Sequence, residues 1–320
     1  MTSKQRSWQG RLLLTLFRLV RLPKLALYTT RFPFYTRGDF RTPKRLNFQP
    51  ETLAGVRCYW LNPAYCTNGV IIYLPGGGFV IGPQKRQWQL CNKLSRQLQY
   101  AVLFIPYNLA PDYPFPTALN AISNVIQELQ HQQRLGSTSN WVVAGDNAGG
   151  NLCLSVTYAL HAAGAQLPRK LVLLSPAVNL SQLCPDDQPV TDAVLSMAFA
   201  QYVSDAYIRQ SDPLNPLLSP LYGDVNVLPL TLLLIGTQDI LVHEARNFVQ
   251  KMREAGKVIH LDEYPGMFHV FMLLAWLPEA RRAFRSMVKF INENRDPIHP
   301  KQYGVVTMET ALLIVVRRLT

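Results

Sequence analysis

The segment Trp141-Val-Val-Ala-Gly-Asp-Asn-Ala-Gly-Gly150 constrains this chain more than any other. An apolar run, Trp141 to Ala144, meets a glycine-flanked turn, and the helix-like Leu152-Cys-Leu-Ser-Val-Thr-Tyr-Ala-Leu160 follows. Apolar β-branched residues without polar alternation predict a strand buried on both faces. Glycines beside the turn let strand and helix backbones approach closely. Strand, sharp turn and helix are the setting of the nucleophile elbow G-x-S-x-G, with Gly145 and Gly149 in the flanking places. The central place holds Asn147, where that pattern has serine.

Other segments repeat the strand signal. Val70 to Leu74, Ala101 to Ile105, Arg169 to Leu174, Leu230 to Ile235 and Val258 to Tyr264 read as strands, with a short one at Val56 to Trp60. Helical stretches over about 84–98 and 117–131 lie between them. Such alternation predicts an α/β protein with a mainly parallel central sheet and helices on both faces. An insertion at about 178–228, with a helix from Ala193 to Arg209, is placed as part of a cap over the strands' C-terminal edge, where α/β ligands bind. At 320 residues, 48% of them hydrophobic, the chain can bury a large core.

Charge sits at one end. The first 45 residues carry 11 Lys/Arg against Asp39 alone, which is +10 of the net +12; the rest has 21 basic and 19 acidic residues. A basic arm on a near-neutral body points to an anionic surface touching the N-terminus, and not to a nucleic-acid binder. Residues 8–22 form a basic amphipathic helix stopped by Pro23, its apolar face made by Leu12, Leu13, Leu16, Phe17, Leu19 and Val20. It could lie in a membrane interface or pack over the mouth of the protein's own site. It is too short and too charged to span a bilayer, and it lacks the cleavage site of a signal peptide. The expected layout is an arm over 1–49 contributing to the cap, a body over 50–297 and a tail over 298–320.

Cys58, Cys66, Cys91, Cys153 and Cys184 are odd in number and form no C-x-x-C pair, which fits reduced thiols in a cytoplasmic protein, peripheral at the membrane if the helix inserts. No His/Cys cluster has ligand spacing, so neither a metal nor another cofactor is expected.

Acyl transfer needs a nucleophile, a base, an orienter for the base and donors for an oxyanion. After position 147, Asp239 follows one buried strand in Gly236-Thr-Gln-Asp239, and His269 follows the last strand in Gly266-Met-Phe-His269. The order of elbow, acid, histidine and their loop settings mark these two as orienter and base. His131, His161, His243, His260 and His299 lack that setting and read as structural or solvated. The oxyanion donors are assigned to the Gly76-Gly-Gly78 loop and to Ala148, the residue after the elbow position.

The chain resembles the hormone-sensitive-lipase family of α/β-hydrolases, marked by HGGGF, YRLAPE, GDSAGGNL, D-x-L-x-DE and G-x-x-H-x-F segments. Here these read PGGGF at Pro75–Phe79, YNLAPD at Tyr107–Asp112, GDNAGGNL at Gly145–Leu152, DILVHEA from Asp239 and GMFHVF from Gly266, and the likeness covers about residues 50–295. The resemblance implies the α/β-hydrolase fold with a helical cap and a carboxylesterase or lipase site for small apolar acyl esters. It assigns Asp239 and His269 as acid and base, and Gly77, Gly78 and Ala148 as oxyanion donors. Three motif positions depart: Pro75 for histidine, Asn108 for arginine and Asn147 for serine. A carboxamide nitrogen is delocalised into its carbonyl and does not attack esters. Asp146 stands one residue too early to substitute at the elbow. The expectation is therefore weak or absent hydrolysis, or else a non-catalytic binder of small lipid-like ligands.

Overall fold

The computed structural model describes residues 7–19, 43, 46–135, 140–182 and 192–293. Cys184, His299 and the 298–320 tail lie outside the described residues, as does most of the 1–49 arm.

Eight strands form one sheet in the order β1-β2-β4-β3-β5-β6-β7-β8. They are β1 (Phe48–Leu53), β2 (Val56–Leu61), β3 (Val70–Leu74), β4 (Ala101–Phe104), β5 (Trp141–Asp146), β6 (Lys170–Leu174), β7 (Leu230–Gly236) and β8 (Ile259–Tyr264). β1 and β2 are antiparallel, and β2 pairs antiparallel with β4; every later pairing is parallel. Among the described residues seven α-helices accompany them: α1 (Trp8–Leu19), α2 (Lys85–Leu98), α3 (Thr117–His131), α4 (Ala148–Ala162), α5 (Met197–Ile208), α6 (Val242–Glu254) and α7 (Pro278–Asn292). The expected mainly parallel sheet is present. β1 is an addition, and it spans the expected boundary between arm and body at 49/50.

The apolar runs are explained by two cores. In β3, Val70, Ile72 and Leu74 face a core shared with α3, α4 and α6, while Ile71 and Tyr73 face one shared with α2 and α7. Alternate side chains point to opposite faces, so a strand covered on both sides must be apolar at every position. Trp88 of α2 stacks on Phe104 of β4 with ring centroids 3.7 Å apart.

α1 docks on the second core through Leu14, and Ser7 donates its N–H and hydroxyl to Glu279 at 2.6 and 2.8 Å. Gly10 and Leu14 are buried, whereas Trp8 and, from the predicted apolar face, Leu12 and Leu16 stay 66%, 62% and 53% exposed; the side chains of Phe17, Leu19 and Val20 lie outside the described residues. Among the described residues no helix is long and apolar enough to cross a membrane. Cys58, Cys66, Cys91 and Cys153 are unpaired, and burial pushes the Cys58 thiol up to about 12.

After β3 the chain passes outward to β4 and then returns on the other side of β3 to β5. Connections leave in opposite directions from the C-terminal ends of β3 and β5, opening a crevice there. The glycine loop follows β3, and position 147 follows β5.

Candidate active site

Asn147 occupies the turn between β5 and α4 with φ 51° and ψ −115°, a strained conformation for a residue with a side chain. Close packing holds it there. A Cβ on Gly149 would lie 1.9 Å from the Leu74 carbonyl oxygen, and one on Gly145 2.5 Å from Gly149 backbone. The Asn147 N–H donates to the Leu174 carbonyl at 2.9 Å, and its own carbonyl accepts from Asn151 and Ala177 at 3.1 and 3.2 Å. The elbow is therefore built although its serine is absent.

The glycine loop lies against it. Gly77 and Gly78 have φ 139° and 59°, and a Cβ on Gly77 would sit 2.1 Å from the Ile81 carbonyl oxygen. Only glycine suits such a turn. The loop is held from below by Asp146, which accepts the Gly76 N–H at 3.1 Å and the Tyr73 hydroxyl at 2.6 Å. Gln87 at the start of α2 donates to the same carboxylate at 2.9 Å. Burial raises the Asp146 pKa, opposed by these donors. Asp146 thus ties the elbow to the loop. Where the family motif has histidine, the Pro75 carbonyl accepts the Tyr107 hydroxyl at 2.8 Å, and the Ala110 N–H donates to Phe79 O at 2.9 Å. The YNLAPD segment supports the loop through these two residues, while Asn108 is exposed.

Asp239 and His269 arrive from loops after β7 and β8 that are tied together. The Gln238 N–H donates to Met267 O at 2.9 Å, and the Gly266 N–H to Thr237 Oγ1 at 2.7 Å. His269 Nδ1 lies 3.0 and 3.1 Å from the two Asp239 carboxylate oxygens, and both residues are buried. His269 Nε2 lies 2.8 Å from Asn147 Nδ2, and Asn147 Oδ1 accepts the Gly78 N–H at 3.0 Å. A backbone N–H only donates, so it selects the oxygen of the carboxamide and turns the NH2 toward His269. His269 Nε2 is then the acceptor, and its Nδ1 proton points at Asp239. Burial pulls the His269 pKa down, but the Asp239 and Asp192 carboxylates outweigh it and the net shift is upward.

The structure brings together all the residues expected from the sequence: Asn147, Asp239, His269, Gly77, Gly78 and Ala148, which opens α4. Ala148 is the first residue of that helix, so its N–H has no carbonyl one turn back to receive it. Asp192 was not foreseen. Its buried carboxylate accepts the N–H groups of His269, Val194 and Leu195 at 3.0, 2.7 and 3.2 Å. No local pattern around it signals this, because the bond is made across the fold. Ser175, also unforeseen, accepts the Val270 N–H at 3.2 Å. Donor atoms of Asp192, Asp239 and His269 lie within 4.8 Å of one another, as a metal site would need. Backbone N–H groups and the Asp239–His269 pair already engage them.

A cavity of about 250 Å³ opens onto Asn147 and His269. Leu195, Phe199 and Val203 from the insertion and Leu273 and Leu274 from the 271–274 turn make it mostly apolar. The cap helix α5 sits directly on the glycine loop: a Cβ on Gly78 would lie 2.9 Å from Val203, and Phe79 stacks on Tyr207 at 3.8 Å. Part of the predicted cap insertion, 183–191, lies outside the described residues.

The profile of a family described as alpha/beta hydrolase fold matches residues 71–273. An esterase of Acinetobacter venetianus is 31% identical over 250 residues, covering 77% of this chain and 82% of that protein. An acetyl-hydrolase of Streptomyces hygroscopicus is 31% identical over 241 residues, covering 72% and 78%. The crystal structure of an esterase from the bacterial hormone-sensitive lipase family superposes with a TM-score of 0.76 at 24% identity, covering 90% of this chain and 98% of that one. With the fold and these relatives together, the chain belongs to the hormone-sensitive-lipase family of α/β-hydrolases, a family of carboxylic-ester hydrolases.

Proposed function

We propose that this protein recognises small apolar acyl esters or lipid-like ligands and hydrolyses them weakly or not at all. In this reading Asp239 orients His269 as the base, the N–H groups of Gly77, Gly78 and Ala148 serve an oxyanion, and Asn147 stands at the nucleophile position. One observation carries it: the Asn147 carboxamide spans from the Gly78 N–H to His269 Nε2, at 3.0 and 2.8 Å. It occupies the donor and the base between which a serine would attack, yet offers no nucleophile. Loss of the nucleophile from such a site lowers kcat by about 10⁶, and the remaining groups supply roughly 10³–10⁴ over water. The names esterase and acetyl-hydrolase borne by relatives support the substrate class. Turnover of p-nitrophenyl butyrate is expected near background for this chain and raised about 10³-fold or more in Asn147→Ser. A revertant without gain overturns the reading.

The apolar cavity supports a second reading, a binder without catalysis. A thermal-shift screen with acyl, terpenoid and steroid ligands tests it, and no stabilisation by any of them counts against it.

The exposed Trp8, Leu12 and Leu16, set in an arm with net charge +10, support peripheral contact with an anionic membrane from the cytoplasmic side. Co-sedimentation with phosphatidylglycerol vesicles, abolished by Leu12→Glu with Leu16→Glu and absent with phosphatidylcholine alone, is the expected result.

A further inference from the structure

The amide closest to this machinery is the side chain of Asn147 itself. Its carbonyl oxygen already sits 3.0 Å from the Gly78 N–H, its nitrogen 2.8 Å from His269 Nε2, and His269 is braced by Asp239 at 3.0 Å. An amide-cleaving site places its substrate in this way: oxygen on the oxyanion donor, leaving nitrogen beside the imidazole, and room for a nucleophile. The cavity is lined by Asn147, Gly78 and His269 together. We propose that Asn147 is a self-processing site, which the folded protein deamidates to aspartate with water as the nucleophile. The inference rests on the reading of Asp239, His269 and Gly78 as an intact remainder of the hydrolase site.

The step balances without any other reactant. The His269 Nε2 lone pair passes from the Asn147 N–H to an entering water and takes one of its protons. The water oxygen bonds to Asn147 Cγ, and the carbonyl electrons move onto Oδ1, held by the Gly78 N–H. On collapse the Cγ–Nδ2 bond breaks, its electron pair leaves with nitrogen, and His269 returns the proton to that nitrogen. Carboxamide and water become carboxylate and ammonium. The product carboxylate faces His269, which is neutral again once its proton has gone to nitrogen.

Freshly purified full chain, incubated at neutral pH and followed by peptide mass spectrometry, tests this. Expected is conversion of Asn147 to aspartate at least about 10²-fold faster than in the urea-unfolded chain. One oxygen-18 should enter from labelled water, and His269→Gln should abolish the acceleration while circular dichroism shows it folded. Asn147 remaining an amide, or converting no faster than in the unfolded chain, overturns the proposal. So does isoaspartate at 147, which marks backbone cyclisation through the Ala148 nitrogen instead of water attack. The Asn147→Ser ester assay separates the two claims: a revertant that gains activity while native Asn147 stays an amide sinks only this one. A revertant without gain beside His269-dependent deamidation sinks only the esterase reading.

Discussion

Asp192 and His269, 77 residues apart in the chain, are joined by a 3.0 Å hydrogen bond from the His269 backbone N–H to the Asp192 carboxylate. The same carboxylate caps the N–H groups of Val194 and Leu195, so one side chain anchors the insertion to the loop that aims the imidazole. Replacing Asp192 by alanine leaves three donors, two of them buried, without their acceptor. An unsatisfied buried donor costs about 1–3 kcal/mol. Asp192→Ala is expected to lower stability by at least that much and, in an Asn147→Ser background, to reduce kcat more than it raises KM. Denaturant titration and p-nitrophenyl ester kinetics read the two effects.

Burial, reinforced by the Asp239 charge, pushes the Asp192 pKa up to about 7, and burial also raises that of Asp146. A carboxyl whose proton is held more tightly folded than unfolded contributes stability below its unfolded pKa, and that contribution is lost as pH rises through the folded value. The melting temperature is therefore expected to fall between about pH 4 and pH 7. Asp192→Asn should flatten this decline, and an unchanged slope would exclude Asp192 as its source.

Gly149 and Gly164 separate packing from backbone freedom. A Cβ at Gly149 meets the Leu74 carbonyl at 1.9 Å, whereas one at Gly164, with φ +64°, meets nothing within 4 Å. Gly149→Ala must move β3 or α4 and is expected to cost about 3 kcal/mol or more, with insoluble expression as its limit. Gly164→Ala bears only the left-handed backbone strain, about 1 kcal/mol. Urea midpoints for the two variants test the ranking.

Tyr73→Phe removes the shortest donor to Asp146, the 2.6 Å hydroxyl bond, while keeping the ring that stacks on Phe104. A loss of about 1–3 kcal/mol is expected for a buried bond to a carboxyl group. In the Asn147→Ser background activity should fall as well, because the same carboxylate holds Gly76 of the glycine loop.

Ser7 joins α1 to the body through Glu279 and also receives the Gly10 N–H at 3.1 Å, as an N-cap does. Ser7→Ala is expected to weaken α1 docking by about 1 kcal/mol. Limited proteolysis near the N-terminus should accelerate while the global melting temperature barely moves.

Strands β3 to β7 were legible because residues buried on both faces leave an apolar run that needs no knowledge of neighbours. β1 was not. Its segment Phe48-Gln-Pro-Glu-Thr-Leu53 contains a proline and reads as polar loop. At the sheet edge Pro50 has no second strand to supply, and Glu51 accepts Trp60 Nε1 at 2.6 Å and Arg134 at 2.7 Å. α1 was legible from its periodicity. Periodicity reports which residues are apolar, not which of them meet a partner: Leu13 and Leu14 pack on the second core, while Leu12 and Leu16 stay exposed.

From the sequence alone come the α/β sheet, the elbow without its serine, and the pairing of Asp239 with His269 by order and loop. These follow from local rules, because turn geometry, strand burial and motif spacing are written in neighbouring residues. Tertiary structure alone decided how the Asn147 carboxamide is turned, with its oxygen on Gly78 and its nitrogen on His269. It also decided that Asp192 braces His269, and that α5 closes the cavity over the glycine loop. Each of these is a contact between segments tens of residues apart, and its energy depends on distances that only the packed sheet and cap set.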